Sequence, residues 1–271
     1  MFHYFLCRRE AAEWMIDMIL AIDVGNTNIV LGFIENGDIK TIIRIHTEPR
    51  ETGTEYAIKL RQVADFYKID LASLDGSIIS SVVPPVTESL KSAVEALTGK
   101  HPMVVGPGMK TGLNVRIDDP STLAGDLVVG SVAALNCYSK PCIIIDMGTA
   151  TTIMVVDEKG CFRGGSIIPG LKLSYAALAS GTSLLPDISI VTPKKAIGTN
   201  TVDCMRSGAV FGTAAMIDGM IDRMEAELGM PCTLIATGGL AESVVSLCSH
   251  DIICDKDLLL KGLWVLYQKN I

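Results

Sequence analysis

A short motif occurs twice in this chain of 271 residues, each time where a strand-like apolar run meets a glycine turn. The first copy is Ile22-Asp-Val-Gly-Asn-Thr-Asn28 and the second is Ile145-Asp-Met-Gly-Thr-Ala-Thr151. Each runs on into a second apolar segment, Ile29 to Ile34 and Thr152 to Val156. Each pair then reaches a polar turn, Glu35-Asn36-Gly37-Asp38 and Asp157-Glu158-Lys159-Gly160. One such turn is an ordinary hairpin; two in the same register predict two related half-domains. An Asp and a Thr flanking a Gly bring a carboxylate, a hydroxyl and backbone N–H groups to one point, which suits phosphate and metal chemistry. The repeat therefore predicts two halves closing over one nucleotide.

Composition permits this. Apolar residues make up 49% of the chain and aromatics only 5%, so the core is built from Ile, Val, Leu, Ala and Met. The length accommodates two domains, expected at 18–138 and 139–271. The net charge is −7, and no basic run is longer than Arg8-Arg9 or Lys194-Lys195, which argues against nucleic-acid and anionic-membrane partners. The eight cysteines form no C-x-x-C pair and are expected as reduced thiols of a cytoplasmic protein. The four scattered histidines suggest no zinc site. Residues 1–17 differ in composition from the rest, and their apolar run is too short for a membrane span. They are expected to be a disordered arm or an upstream start, with Met18 opening the first strand.

The order of elements follows from periodicity. Strands are expected over Ile19–Val24, Ile29–Ile34 and Ile39–Ile45, then a helix over Thr54–Tyr67 capped by Thr52 or Thr54. Gly76–Val83 reads as a strand, Pro84-Pro85 opens a helix, and Met103–Val105 is a short strand. Gly106-Pro-Gly-Met-Lys-Thr-Gly112 is a loop, and a helix from Ser121 to about Asn136 carries Asp126. The second half opens with the strand Cys142–Asp146. It continues through Gly164–Gly170 into a short helix, a loop over Leu184–Thr199 and a long helix over Thr201–Gly229. A strand over Cys232–Ala236, a Gly238-Gly239 turn and a final strand and helix close the chain. Strands that meander and then alternate with helices, twice over, predict a duplicated α/β fold with mixed sheets.

The carboxylates of Asp23 and Asp146 would approach a shared cleft and need a counter-cation. Mg²⁺ on nucleotide phosphates would supply it, held by Asp23 through water because Mg²⁺ dehydrates reluctantly. Thr27 and Thr149 can donate to phosphate oxygens, with Gly25 and Gly148 allowing close approach. The methionines of the long helix (Met205, Met216, Met220, Met224) read as core filler.

The segments Asp23–Thr27, Gly106–Gly112, Asp126, Asp146–Thr152, Gly164–Gly170, Asn200-Thr201 and Thr237–Gly239, in this order and spacing, resemble the superfamily of acetate kinases, sugar kinases, heat-shock ATPases and actin. Within it they resemble the type III pantothenate kinase family, related to the Bvg accessory factors. The resemblance runs from residue 18 to about 268. It implies two ribonuclease-H-like domains of the actin-like ATPase type, a homodimer, and ATP-dependent phosphorylation of pantothenate, the first step of coenzyme A synthesis. It places Asp23, Val24, Gly25, Asn26, Thr27, Asn28, Ile29, Val30 and Thr149 on ATP. It places a potassium or ammonium ion on Asp146, and Ala124, Gly125, Asp126, Leu127 and Thr201 around the acceptor. Asp126 becomes the general base, near a helix start where the dipole favours its ionised form. One in-line carboxylate suffices for phosphoryl transfer, which needs mainly positioning and charge stabilisation.

The chain departs from the family pattern on the acceptor side. The usual Gly-x-Asp-Arg reads Ala124-Gly-Asp-Leu127, an Asn is replaced by Gly130, and a Tyr is replaced by Ile117. A lost guanidinium removes a charge-assisted partner for an anionic acceptor, commonly about 1.5–3 kcal/mol. Lys110 and Arg116 are the candidate replacements. Two other readings stay open: a non-catalytic, nucleotide-binding regulatory member of the family, and a kinase of another small hydroxyl acceptor.

Overall fold

The computed structural model describes residues 18–271, so the expectations for residues 1–17 lie outside the described residues. Strands β1 (Met18–Val24), β2 (Asn28–Glu35) and β3 (Asp38–His46) form an antiparallel meander. Helix α1 (Gly53–Tyr67), strand β4 (Gly76–Ser81), helix α2 (Pro84–Thr98) and strand β5 (Met103–Val104) complete the first half. Strand β6 (Asn114–Val115) and helix α3 (Gly125–Cys137) lead to the second set: β7 (Cys142–Met147), β8 (Ala150–Val156) and β9 (Cys161–Pro169). Helices α4 (Leu171–Ser180) and α5 (Thr201–Leu228), β10 (Thr233–Thr237), α6 (Ala241–Val245), β11 (Ile253–Cys254) and α7 (Leu258–Asn270) finish the chain.

The duplication is complete at the level of sheets. The first has the order β3-β2-β1-β4-β5, and the second has β11-β10-β7-β8-β9-β6. In each, the motif strand pairs antiparallel with its successor and parallel with a strand from beyond a helix. The second sheet gains β6, which pairs parallel with β9. Neither β6 nor β9 was expected as a strand. Strand β9 is masked by Gly164-Gly165, a residue type that weakens strands. A Cβ at Gly165 would stand 2.0 Å from the Ile153 carbonyl oxygen, so glycine is what lets β9 close on β8.

Alternation along the central strands sorts side chains into separate layers. From β1, Leu20, Ile22 and Val24 face α1 and α2, packing with Tyr56, Leu60, Leu90 and Val94. Ile19 and Ala21 face the other way, onto Val129, Val132, Leu260 and Leu263 of α3 and α7. From β7, Ile143, Ile145 and Met147 pack on Ala209, Val210, Ile217 and Ile221 of α5. Cys142 and Ile144 turn toward Ala133 and Ala134 of α3 and Leu258 of α7. The layers therefore run α1/α2, first sheet, α3/α7, second sheet, α5. Burial on both faces explains why β1 and β7 read as continuous apolar runs, and why α3 is apolar nearly all round.

Several boundaries moved. The cap of α1 is Thr52, in a capping box in which the Glu55 carboxylate accepts the Thr52 N–H at 2.7 Å. The helix expected from Ser121 starts at Gly125; Pro120–Thr122 is a separate 3₁₀ turn capped by Asp119. The methionines behave as filler: Met205 is buried, and Met216, Met220 and Met224 pack against the apolar cluster under α5. The described cysteines, Cys137 to Cys254, are unbridged. No helix among the described residues is long and apolar enough to cross a membrane.

Helices α3 and α7 touch through a glycine. A Cβ at Gly262 would lie 2.2 Å from the Val129 carbonyl oxygen. Gly262→Ala is therefore expected to force the two helices apart at an overpacking cost of about 1–3 kcal/mol. Calorimetry should show a Tm several degrees lower, and an unchanged Tm would mean that the contact is soft.

Candidate active site

The layer rule also aims the chemistry. Asp23 follows Ile19 and Ala21 at period two, and Asp146 follows Cys142 and Ile144. Both carboxylates therefore point from their separate sheets into the α3/α7 layer. Asp126 sits there, in the first turn of α3, whose N-cap is Ala124 and whose first residue is Gly125. Its Oδ1 accepts the Leu127 N–H at 2.8 Å. Residues from two sheets and a helix thus meet at one cleft.

The two glycine turns meet as well. Thr27 Oγ1 and Thr149 Oγ1 share a hydrogen bond of 3.0 Å across the cleft. The turns differ by one residue. The Gly25 N–H closes on the Asn28 carbonyl, and Val24 pairs with Ile29. The Gly148 N–H closes on the Ala150 carbonyl, and Met147 pairs with Thr151. The shared register therefore holds up to the glycine and slips by one beyond it, so Thr27 faces Thr149 rather than Ala150. Thr47 holds the first turn: its hydroxyl donates to the Gly25 carbonyl at 2.6 Å, and its N–H to the Thr27 carbonyl at 3.1 Å. Backbone cages the second. A Cβ at Gly170 would stand 2.2 Å from the Thr149 carbonyl oxygen, and one at Gly238 (φ +95°) 2.6 Å from that of Met147.

Electrostatics mark the cluster. The Asp23 carboxyl is raised from 3.8 to about 7, first by burial, then by the charges of Asp146 and Asp126. The Ser80 hydroxyl across β4 opposes this, although it makes no hydrogen bond of normal geometry. Asp146 is raised to about 6 by burial and by Asp126. Asp126 is also raised, by burial, against the pull of backbone N–H groups. The expected dipole effect on Asp126 is thus overridden by desolvation. Three carboxylates that repel one another in a half-buried cleft suit a cation. Among the described residues no group of three His, Cys, Asp or Glu side chains is placed to ligate a metal directly. A cation here would be completed by phosphate oxygens and water, as Mg²⁺ prefers.

The positions expected on the acceptor side are less concentrated. Leu127 and Ile117, two of the three departures from the family pattern, pack into one apolar cluster with Leu123 and Val115. Thr201 is the exposed first residue of α5, under the Asn200 cap, and no hydrogen bond joins it to the carboxylates. Lys110 and Arg116 are exposed. The Lys110 backbone is held on both sides by the Asn270 side chain, at 2.9 and 3.1 Å. Val24, Ile29 and Val30 are strand residues, while Asn26 in the turn and Asn28 at the start of β2 are exposed. Sequence reading passed over Ser80 and quoted Thr237 only as the start of the Thr237–Gly239 segment; the two stand opposite Asp23 and Asp146 on the adjacent parallel strands. Their signal was faint: a hydroxyl residue at the end of an apolar strand.

A family model described as type III pantothenate kinase matches residues 19–223. The chain belongs to the type III pantothenate kinase family. It is 41% identical over 254 residues to the type III pantothenate kinase of Halalkalibacterium halodurans, covering 94% of this chain and 100% of the relative. It is 39% identical over 257 residues to that of Moorella thermoacetica, covering 93% and 100%. Among solved structures, it resembles a putative Baf family transcriptional activator from Campylobacter jejuni (TM-score 0.56, 18% identity, 92% of this chain and 97% of that one). It also resembles a 2-hydroxyglutaryl-CoA dehydratase component from Acidaminococcus fermentans (TM-score 0.54, 14% identity, 93% and 97%). At these identities the structural likeness speaks for the fold alone, a pair of ribonuclease-H-like domains with mixed sheets. The family model spans both glycine turns and Asp126.

A carboxyl whose folded value lies above its unfolded one favours folding below the unfolded value, and this advantage is lost as pH rises through the folded value. For Asp23 the window runs from about 4 to about 7. In ligand-free protein, Asp23→Asn is expected to match wild type near the bottom of that window. It should gain on wild type up to its top, by at most about 3–4 kcal/mol. Tm curves against pH check this, and parallel curves would refute the buried-charge account.

Proposed function

We propose that this chain transfers the γ-phosphoryl group of ATP to the primary hydroxyl of pantothenate, giving ADP and 4′-phosphopantothenate, the first step of coenzyme A synthesis. The convergence of Asp23, Asp126 and Asp146 in the α3/α7 layer carries the reading, and family membership names the acceptor.

The roles follow from chemistry at each position. Residues 23–30 and Thr149 hold the nucleotide, with the turn N–H groups and the Thr27 and Thr149 hydroxyls available to phosphate oxygens once the two threonines part. Asp23 holds Mg²⁺ through water, and Asp146 holds a potassium or ammonium ion. Bound there, such cations would neutralise charge that otherwise burdens both carboxylates. Asp126 accepts the proton of the acceptor hydroxyl as its oxygen attacks the γ-phosphorus and the bond to the bridging oxygen breaks. Its raised pKa suits a general base that must gain a proton. Ala124, Gly125, Leu127 and Thr201 border the acceptor.

The enzyme works in the cytoplasm as a homodimer, with no nucleic-acid or membrane partner. Exposed apolar side chains support self-association: Ile167 (72% exposed), Leu184 (91%) and Ile197 (79%) lie on β9 and on the loop between α4 and α5, with Leu173 and Leu178 on α4.

The test is ATP turnover with pantothenate, with and without potassium or ammonium. Asp126→Asn should lower kcat roughly 10²–10⁴-fold with ATP affinity retained. Asp23→Asn and Asp146→Asn should abolish Mg·ATP-dependent turnover in folded protein. Full activity in Asp126→Asn would remove the base assignment. Failure of the wild type to bind pantothenate in the presence of nucleotide would remove the acceptor.

A further inference from the structure

A hydroxyl stands beside each strand-borne aspartate. Asp23 is paired across the parallel β1/β4 ladder with Ser80, and Asp146 across β7/β10 with Thr237. Period two puts Ser80 on the face of Ile78, toward α3, which is the face Asp23 also uses. The two serines that end β4 have different fates. Ser81 is fully employed: its hydroxyl donates to the Val83 carbonyl and accepts from the Val83 N–H at 3.1 Å and from Thr87 Oγ1 at 2.7 Å. Ser80 is 0% exposed, and its Oγ makes no hydrogen bond of normal geometry, though it stands close enough to Asp23 to pull that carboxyl down. That oxygen lies 3.5 Å from where a Cβ of Gly125 would sit, against the turn that carries Asp126.

A buried hydroxyl without a partner is a net cost, which alanine would avoid at almost the same volume. Ser77 and Ser131 are also unpartnered. Ser77 faces the opposite, apolar layer, and Ser131 lies within the helix interior, so neither shares a ladder position with a carboxylate. Ser80 is the orphan aimed between Asp23 and the base-bearing turn.

We propose that Ser80 is a positioning residue for nucleotide binding. Its O–H donates to the Asp23 carboxylate when the Mg·nucleotide is seated, fixing the oxygen that Asp23 turns toward the phosphates. Thr237 is the counterpart for Asp146. Ser80 touches neither ATP nor acceptor; it acts through Asp23. The inference rests on the assignment of Asp23 to the nucleotide side in the proposed function.

The variants are Ser80→Ala, Ser80→Cys and Thr237→Val. The probe is the non-hydrolysable nucleotide AMPPNP with Mg²⁺, measured by calorimetry beside Tm and steady-state kinetics. Ser80→Ala should weaken Mg·AMPPNP binding about ten- to a hundredfold, the loss of one hydrogen bond to a charged group. The KM for pantothenate should stay at the wild-type value, and the ligand-free Tm should equal or exceed that of wild type. Ser80→Cys, with a weak donor, should fall between. Thr237→Val should weaken nucleotide binding with its Tm kept. Unchanged binding in Ser80→Ala overturns the proposal, and so does a loss of binding that tracks a falling Tm. Wild-type protein that binds Mg·AMPPNP but does not phosphorylate pantothenate would defeat the acceptor assignment and leave this inference to be judged by the binding data.

Discussion

The packing of α3 against α7 is the contact on which the arrangement depends. Both helices lie between the two sheets, and each sheet presents to that layer the side chains at alternate positions of its central strand. Because α3 begins at the cleft, the same contact that joins the halves brings Asp126 of one helix to the aspartates of two strands. Gly262 makes the approach possible, since its missing Cβ leaves room for the Val129 carbonyl. The last helix, which follows the second sheet in sequence, spends most of its apolar face on the first. The C-terminus is therefore part of the first core, and the halves cannot be separated by a single cut.

The carboxylate cluster concentrates unfavourable charge where the halves meet. Burial raises all three aspartates, and the charge of Asp126 adds to that rise at Asp23 and Asp146. The surrounding fold absorbs that cost through large apolar layers. The Thr27–Thr149 pair ties the two glycine turns together across the cleft, each hydroxyl satisfying the other.

The duplication is exact in topology and unequal in detail. One turn is braced by a side chain, Thr47; the other is braced by backbone pressed against Gly170 and Gly238. One sheet stops at five strands; the other recruits β6 at its edge. The halves share a plan for aiming an aspartate, while the segments from Gly106 to Asp126 and from α4 to α5 differ between them.

Much was legible from the residues alone. Alternation and continuous apolar runs determined β1, β2, β3 and β7, the Pro84-Pro85 pair determined where α2 begins, Thr52 and Thr54 bracketed the start of α1, and the repeated Asp-x-Gly turn determined the duplication. These are local properties, set by side-chain period and backbone preference within a few residues. Tertiary structure decided the rest. Strand β9 was hidden by glycines whose purpose, closeness to β8, exists only once the sheet forms. The start of α3 was hidden because Ser121 and Pro120 build their own turn first. The pKa of Asp126 went against the helix dipole because neighbours distant in sequence remove its water. Ser80 gained its place beside Asp23 only through a parallel ladder between segments far apart in the chain. Sequence sets which atoms are available and which way each strand turns them; only packing sets which of them meet, because burial, charge repulsion and close approach are properties of pairs.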